Sequence, residues 1–289
     1  MKQKRVDWAA YIFLVPAGII YVSVIIVPIF YSAFISLNRW NGISAMEFVG
    51  LRNYINLFTA DPVFRIALTN NIKWLLLTVT ITTTMALTLA VILNKQFRGR
   101  AFFRGFFYFP TVISAIAVAI IWRWIYNPQI GFLNQFFRFL GINYAQSWLS
   151  DPKFSLYAVY AATLWATVGQ PMILFLAGLQ TVPKEVLEAA IIDGASAPRR
   201  FFLITCVLMK ETFVIVLANL VVGAMRVFDS IWGLTGGGPI NATQMLSTYM
   251  YSQTFRFSNV GMGTAIAVLM VLMMMIVIVP YVLFTARER

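Results

Sequence analysis

Histidine is absent from the 289 residues, and cysteine occurs once, at Cys206. A histidine-based triad, a His-ligated metal site, an internal disulfide and a thiolate cluster are therefore excluded. Charge is also scarce: Asp, Glu, Lys and Arg make up 11% of the chain, against 60% apolar residues and a mean hydropathy of +0.79. A soluble domain carries about a quarter charged residues. Most of this chain is thus not solvated by water, which all but excludes a soluble enzyme. Aromatic residues are abundant instead, 16% with 25 Phe, which suits side chains that face lipid or pack between helices and does not suit a disordered or collagen-like chain.

The gaps between charges locate the membrane segments. Trp8 to Asn38, Trp74 to Asn94, Gly105 to Trp122, Phe154 to Pro183 and Phe257 to Ala286 carry no charge, and each is near or above the ~20 residues a helix needs to cross a bilayer. Thr212 to Met225 is uncharged but short, and reaches that length only by running through Arg226 and Asp229 to Trp232. The expectation is an all-α polytopic membrane domain with six spans, at about 8–37, 72–94, 104–126, 155–180, 212–232 and 260–286. The uncharged Ser230 to Phe255 stretch is expected to be loop, because Gly236-Gly237-Gly238-Pro239 and several Ser, Thr and Gln interrupt it. The first apolar run is too long for a cleaved signal and is expected to be retained.

The net charge of +12 is mainly a topology signal. Lys2, Lys4 and Arg5, then Lys95, Arg98, Arg100 and Arg104, then Lys184, Arg199, Arg200 and Lys210, then Arg287 and Arg289 account for thirteen of the 22 basic residues. All fall on one side of a six-span arrangement, which places both termini in the cytoplasm. No basic patch interleaves with stacking aromatics outside the spans, so a nucleic-acid partner is not expected.

The connection between Pro183 and Lys210 is more than a tether. Val186, Leu187, Ala190 and Ile191 recur at helical spacing, Glu185 and Glu188 lie early in the segment, and Asp193-Gly194 closes it. This predicts a short amphipathic cytoplasmic helix with Gly194 as its C-cap and Pro198 preventing continuation. It either lies on lipid or meets another protein, and Ala189, Ala190, Gly194 and Ala195 favour the second, since small side chains permit close approach.

These residues also carry a resemblance. Glu188-Ala189-Ala190, Asp193-Gly194-Ala195 and the Phe201 to Thr205 run resemble the EAA loop of permease subunits of bacterial ABC importers, especially the carbohydrate branch. Phe48 to Tyr54, with Leu57-Phe58, Asp61 and Phe64, is similar to the first external loop of those permeases. Leu234 to Pro239, followed by Ala242-Thr243 and Tyr249 to Tyr251, is similar to the external loop before their last span. The longer N-terminal portion resembles the first-type maltose and glycerol-phosphate permease subunits.

The resemblance implies a single permease domain whose coupling loop, 183–205, engages a separate ATPase through Glu185, Glu188, Ala189, Ala190, Asp193, Gly194 and Ala195. It implies a second similar permease, two ATPase subunits that bind ATP and Mg, an extracytoplasmic binding protein, and a bacterial inner-membrane location. No cofactor is expected in this chain. The sequence contains no G-x-x-x-x-G-K-[ST] phosphate loop, and the Gly236 to Pro239 run lacks the lysine. The family commonly has proline where this chain has Val207 and Glu211, so a straighter approach to the fifth span is expected here.

Polar residues inside spans are costly in lipid and face a bundle interior or a wet path. Thr163, Thr167 and Gln170 share one helical face, and Asn219, Gly223 and Arg226 share another. These faces are expected to line the substrate path. Gln170 and Asn219 would offer hydrogen bonds to hydroxyls or else join helices. Trp122, Trp165 and Trp232 would stack on a sugar or anchor at the interface. Arg226 and Asp229 are close enough to pair, as a gate or as a solvated helix end. A kink is expected at Gly169 to Pro171, with or without a ligand beside it. Met273 to Met275 reads as adaptable packing rather than a metal path, and the Asn241-Ala242-Thr243 sequon as incidental. Two rivals stand beside the importer. An ion-coupled transporter would need a mid-membrane carboxylate, and an intramembrane enzyme would need convergent acid and base groups. A non-sugar solute such as glycerol phosphate is the alternative cargo.

Overall fold

The computed structural model describes residues 8–142 and 145–286. Lys2, Lys4, Arg5, Arg287 and Arg289, which bear on the orientation of the termini, lie outside the described residues. The chain divides into two compact units, one holding residues up to Asp61 together with Met250–Leu269, the other holding Pro62–Tyr249 and the chain from Met270 onward.

In the first unit, α1 (Phe13–Ser36) is apolar all round and exposes its side chains along most of its length, the pattern of a helix whose solvent is lipid. A two-residue antiparallel ladder follows, β1 (Asn38–Arg39) against β2 (Glu47–Phe48). Arg39 and Glu47 close it with an ion pair. The buried Asn53, at the start of α2 (Arg52–Thr59), donates to the carbonyls of Ser36 (2.8 Å) and Asn38 (2.9 Å). Ser36 is the last residue of α1 and Asn38 opens β1, so one side-chain amide satisfies a helix-terminal acceptor and ties the helix end to the ladder. The Phe48 to Tyr54 motif is therefore a folded cap on α1.

The second unit begins with α3 (Pro62–Asn94), 33 residues and about 50 Å long. The helix starts ten residues before the expected 72–94 span, because Pro62 is preorganised for a helix's first turn and Arg65 and Lys73 lie on its exposed side. Next come α4 (Arg100–Val112) and α5 (Ala115–Ile125), which meet at 102°. The expected 104–126 span is thus broken in its middle. Pro110 sits in a tight terminal turn, Ile113 and Ser114 are extended, and the Ser114 hydroxyl accepts from Ala117 N–H at 3.3 Å to start α5.

A short helix, α6 (Phe132–Phe139), leads to α7 (Ser155–Thr167) and α8 (Gly169–Gln180), bent by 47°. This is the kink expected around Gly169 to Pro171. The 183–205 segment begins with α9 (Lys184–Ile192), and α10 (Ala197–Leu208) then meets α11 (Lys210–Met225) at 75°. The expectation of a straighter approach to the fifth span was wrong. Met209, fully buried, adopts φ −90°, ψ 11° and turns the chain without proline. Pro198 also acts differently from expectation, standing in the first turn of α10 rather than blocking α9.

The fifth span does not run on to Trp232. Arg226 to Phe228 interrupt it, the Val227 carbonyl accepts from the Ser247 hydroxyl, and α12 (Asp229–Leu234) starts anew. The polar 236–245 loop is pinned to α3 by two adjacent asparagines. Asn70 donates to the carbonyls of Ala242 and Gln244, both at 3.0 Å, and Asn71 accepts from Leu246 N–H at 2.7 Å. The loop expectation for Ser230 to Phe255 holds only in part, since α12 and α13 (Leu246–Tyr251) lie within it. Last comes α14 (Val260–Ala286), the expected final helix. Among the described residues, three helices are long and apolar enough to cross a membrane, and six spans result if each bent pair is one.

Two buried clusters hold the second unit. One joins Trp74, Ala119, Tyr126, Val159, Tyr160 and Ile231, and the other joins Ala86, Ala90, Met172, Phe175, Met209 and Val216. The helix α8 lies along the Thr83–Asn94 half of α3, where Ala86 and Ala90 present small side chains that let the helices come close.

Candidate translocation cavity and coupling loop

A cavity of about 430 Å³ opens within the second unit. Its walls come from α3 (Trp74, Thr78, Thr82), α7 (Tyr160, Thr163, Thr167), α8 (Gln170, Pro171), α11 (Asn219, Gly223) and the break after it (Arg226, Asp229). Six of the seven residues expected to line the path are therefore gathered in one place: Thr163, Thr167, Gln170, Asn219, Gly223 and Arg226. Both buried clusters contribute wall residues, so the cavity is framed by packed side chains rather than by loops.

The polar groups differ in what they have left to offer. Thr163 and Thr167 donate back to the carbonyls of Val159 and Thr163, each at 2.8 Å, which satisfies the hydroxyl hydrogen and leaves oxygen lone pairs toward the cavity. Asn219 donates one amide hydrogen to Ile215 O at 2.8 Å and keeps its carbonyl oxygen free. Gln170 is exposed and has no hydrogen-bond partner among the described residues, so its amide offers two donors and an acceptor. Arg226 and Asp229 do not pair with each other. Both are exposed at the break between α11 and α12 and keep their charge available. Tyr160 is committed: its hydroxyl donates to Leu77 O (2.8 Å) and meets Thr82 Oγ1 (2.9 Å), while its ring takes the edge of Trp74 at 5.2 Å.

Trp122 is the exception among the expected residues. It packs against Tyr126 (ring centroids 5.0 Å) and Trp165 (5.8 Å) beside the first cluster and does not line the cavity. Trp165 and Trp232 are also absent from the walls, Trp232 stacking on Phe228 at 5.4 Å. The aromatic residues that border the cavity are Trp74, Tyr160 and Phe228, which sequence reasoning missed along with Thr78 and Thr82. The signal was there, since Thr78 and Thr82 share the i, i+4 spacing that marked Thr163 and Thr167.

Gly169 places α8 where the cavity needs it. A Cβ there would lie 2.6 Å from Phe107 O and 2.8 Å from Thr111 Oγ1 and Tyr108 Cα. Only glycine lets α4 approach the α7–α8 bend this closely, and the neighbouring Gln170 is held in the wall as a result.

The segment expected to couple, 183–205, is built differently. In α9, Glu185 stands in the first turn, where the helix dipole favours a carboxylate. Gly194, at φ +74°, ends the helix, its N–H bonding Ile191 O at 3.0 Å while Ala195 N–H bonds Ala190 O at 2.9 Å. This paired closure is the glycine-dependent helix stop. Ala190 is buried and Leu187 packs against the second cluster, whereas Val186 and Ile191 are exposed. The expected apolar stripe is thus split between inward and outward faces. Glu185, Glu188, Ala189 and Asp193 are exposed, and Ala195 is half-buried.

Apolar helices bent around a polar cavity, with an exposed acidic and small-residue helix at a chain reversal, define a multi-pass membrane permease subunit. Residues 82–289 match the family described as the binding-protein-dependent transport system inner membrane component. The chain belongs to that family and is a transport subunit of the ABC class. It is 36% identical to a probable ABC transporter permease protein, YurN, of Bacillus subtilis, over 90% of each chain. It is 34% identical to the trehalose/maltose transport system permease protein MalF of Thermococcus litoralis, over 90% of this chain and 87% of the relative. Among solved structures, a bacterial alginate ABC transporter bound to its alginate pentasaccharide-loaded periplasmic protein has a chain of the same fold. The TM-score is 0.83 at 20% identity, over 95% of this chain and 93% of that one.

Proposed function

We propose that this subunit imports a sugar or short oligosaccharide, delivered by an extracytoplasmic binding protein, through the cavity between α7–α8 and α11. The observation that carries this reading is the mixture of free donors and acceptors in a cavity of about 430 Å³ bordered by the aromatic residues Trp74, Tyr160 and Phe228. Hydroxyl-rich solutes need many hydrogen bonds and a flat apolar face, and a pocket of this size encloses a small ligand. The sugar names carried by relatives such as the trehalose/maltose permease support it.

In this reading the chain holds no nucleotide itself. Two partner ATPases bind ATP and Mg, and α9 with the rest of the 183–205 loop seats on one of them. A second permease of similar fold completes the path. Both termini and the coupling loop are cytoplasmic, as the basic connections favour. Closure of the ATPases moves the two coupling helices together and changes the side to which the cavity opens. The turn at Met209 joins the coupling segment to α11, so movement of α10 reaches Asn219 and Gly223 through a packed residue rather than a loose linker.

Uptake of labelled monosaccharides, disaccharides and glycerol phosphate by the assembled importer in proteoliposomes tests the reading. ATP-dependent and binding-protein-dependent uptake of a sugar is expected, and uptake by this chain alone would overturn it. The unpaired Arg226 keeps an anionic cargo as a second reading. Arg226→Gln would then abolish uptake of glycerol phosphate while sparing neutral sugars.

A further inference from the structure

We propose that the start of α4 and the turn before it form a binding site for the headgroup of an anionic phospholipid. Lys95, Arg98 and Arg100 are exposed within six residues of one another, and none of their side chains has a hydrogen-bond or ion-pair partner among the described residues. No aspartate or glutamate occurs between Pro62 and Ser150, so the sequence supplies no local counter-charge. Arg104, one helical turn on, is already committed to Leu93 O at 2.8 Å and fixes α4 against the end of α3.

The apolar side of the same helix is equally unpartnered. Phe102, Phe106 and Phe109 follow the 4 and 3 spacing of one helical face and are 70%, 61% and 62% exposed. Phe102 and Phe106 stack at 6.3 Å, making a continuous aromatic surface. A basic cluster at one end of an aromatic face is the pattern of a segment seated at a membrane interface, with rings among acyl chains and cations at phosphate level. No side chain caps the first turn, which begins at a left-handed Gly99, so the positive end of the helix adds to the cations. The partner is committed by charge: a phosphodiester of a lipid such as phosphatidylglycerol, not a neutral or zwitterionic one. The site has leverage on transport, because α4 is the helix that Gly169 packs against beside the cavity.

The test is lipid retention by the full chain, measured by native mass spectrometry from nanodiscs containing equal phosphatidylglycerol and phosphatidylcholine. Phosphatidylglycerol is expected to be retained preferentially. The Arg98→Gln/Arg100→Gln variant is expected to lower its apparent affinity about 30-fold, which is two basic side chains at ~1 kcal/mol each. Arg98→Lys/Arg100→Lys should restore most of it. Neither arginine side chain makes a hydrogen bond or ion pair among the described residues, so both variants should fold, and a salt titration of the unaltered chain gives an independent measure, since retention should fall as ionic strength rises. Equal retention of the two lipids, no change in the glutamine variant, or photo-crosslinking from position 106 to a protein chain instead of lipid would each overturn the proposal.

Discussion

The cavity and the coupling loop are both made of a few polar and small residues, yet they are constructed in opposite ways. The helix α9, proposed for coupling, is local: Glu185, Ala190, Gly194 and Ala195 lie within one dozen residues, and its geometry is closed by hydrogen bonds between neighbours in sequence. The cavity is assembled from α3, α7, α8 and α11, with residues from Trp74 to Ser230 in its walls. A local device tolerates change in the rest of the molecule and fails only at its own positions. An assembled one depends on every close approach that sets its walls.

The sharpest way to break that contrast is the residue that joins the two regions. Met209→Ala removes a fully buried side chain at the 75° turn and should cost about 2–5 kcal/mol. It would show as a lowered unfolding temperature in detergent together with weakened coupling of ATP hydrolysis to uptake. Gly169→Val comes next, at about 1–3 kcal/mol, because the added carbons have no free space against Phe107 and Tyr108. Loss of uptake with a lowered melting temperature is expected, and an unaltered protein would mean that α4 is not held there.

Gly194→Val probes the local device. Open space surrounds a Cβ at this position, so there is no clash, and the cost is the left-handed backbone alone, about 1–2 kcal/mol. The variant should fold and keep its cavity while uncoupling transport or releasing the ATPase. Normal transport-coupled hydrolysis would sink the assignment of this loop. Gln170→Leu does the reverse, sparing ATPase attachment and reducing uptake about tenfold, the equivalent of ~1.4 kcal/mol for a lost hydrogen bond to a buried solute.

The smallest effect is expected away from both regions, at Asp151. Hydrogen bonds from Lys153 N–H and the Gln146 amide, both at 2.9 Å, hold its carboxyl below the usual range. A depressed folded-state value stabilises above the unfolded value of about 3.9, and that contribution fades as pH falls through the folded value. Asp151→Asn should therefore lower stability slightly at neutral pH and leave it nearly unchanged at pH values below the folded-state pKa, so that the acid limb of a stability-versus-pH curve is slightly flatter.

The same contrast explains what was legible in the sequence. Gly194 and its neighbours were readable because a helix stop is decided by adjacent residues. Gln170, Asn219 and the two threonines of α7 were readable because polar groups in an uncharged run have few other reasons to be there. Trp122 misled because aromatic chemistry alone does not say whether a ring faces a cavity or another ring. The breaks at Met209 and Arg226 were hidden because they are enforced by burial or by a hydrogen bond such as that from Ser247 to Val227, with no proline at the hinge, whereas the break at Ser114 has a local signal in Pro110 and the Ser114 cap that charge-free length passes over. Charge-free length found the spans but not their bends.

The most direct test of the central claim uses the single cysteine. In a Cys206→Ser background, Gln170→Cys, Asn219→Cys and Trp122→Cys variants of the assembled importer would be treated with a charged, membrane-impermeant thiol reagent, with and without transported sugar. Labelling at 170 and 219 that sugar suppresses, and none at 122, is the predicted result. Equal labelling at all three positions, or labelling at 170 and 219 that sugar leaves untouched, would contradict a substrate path through this cavity.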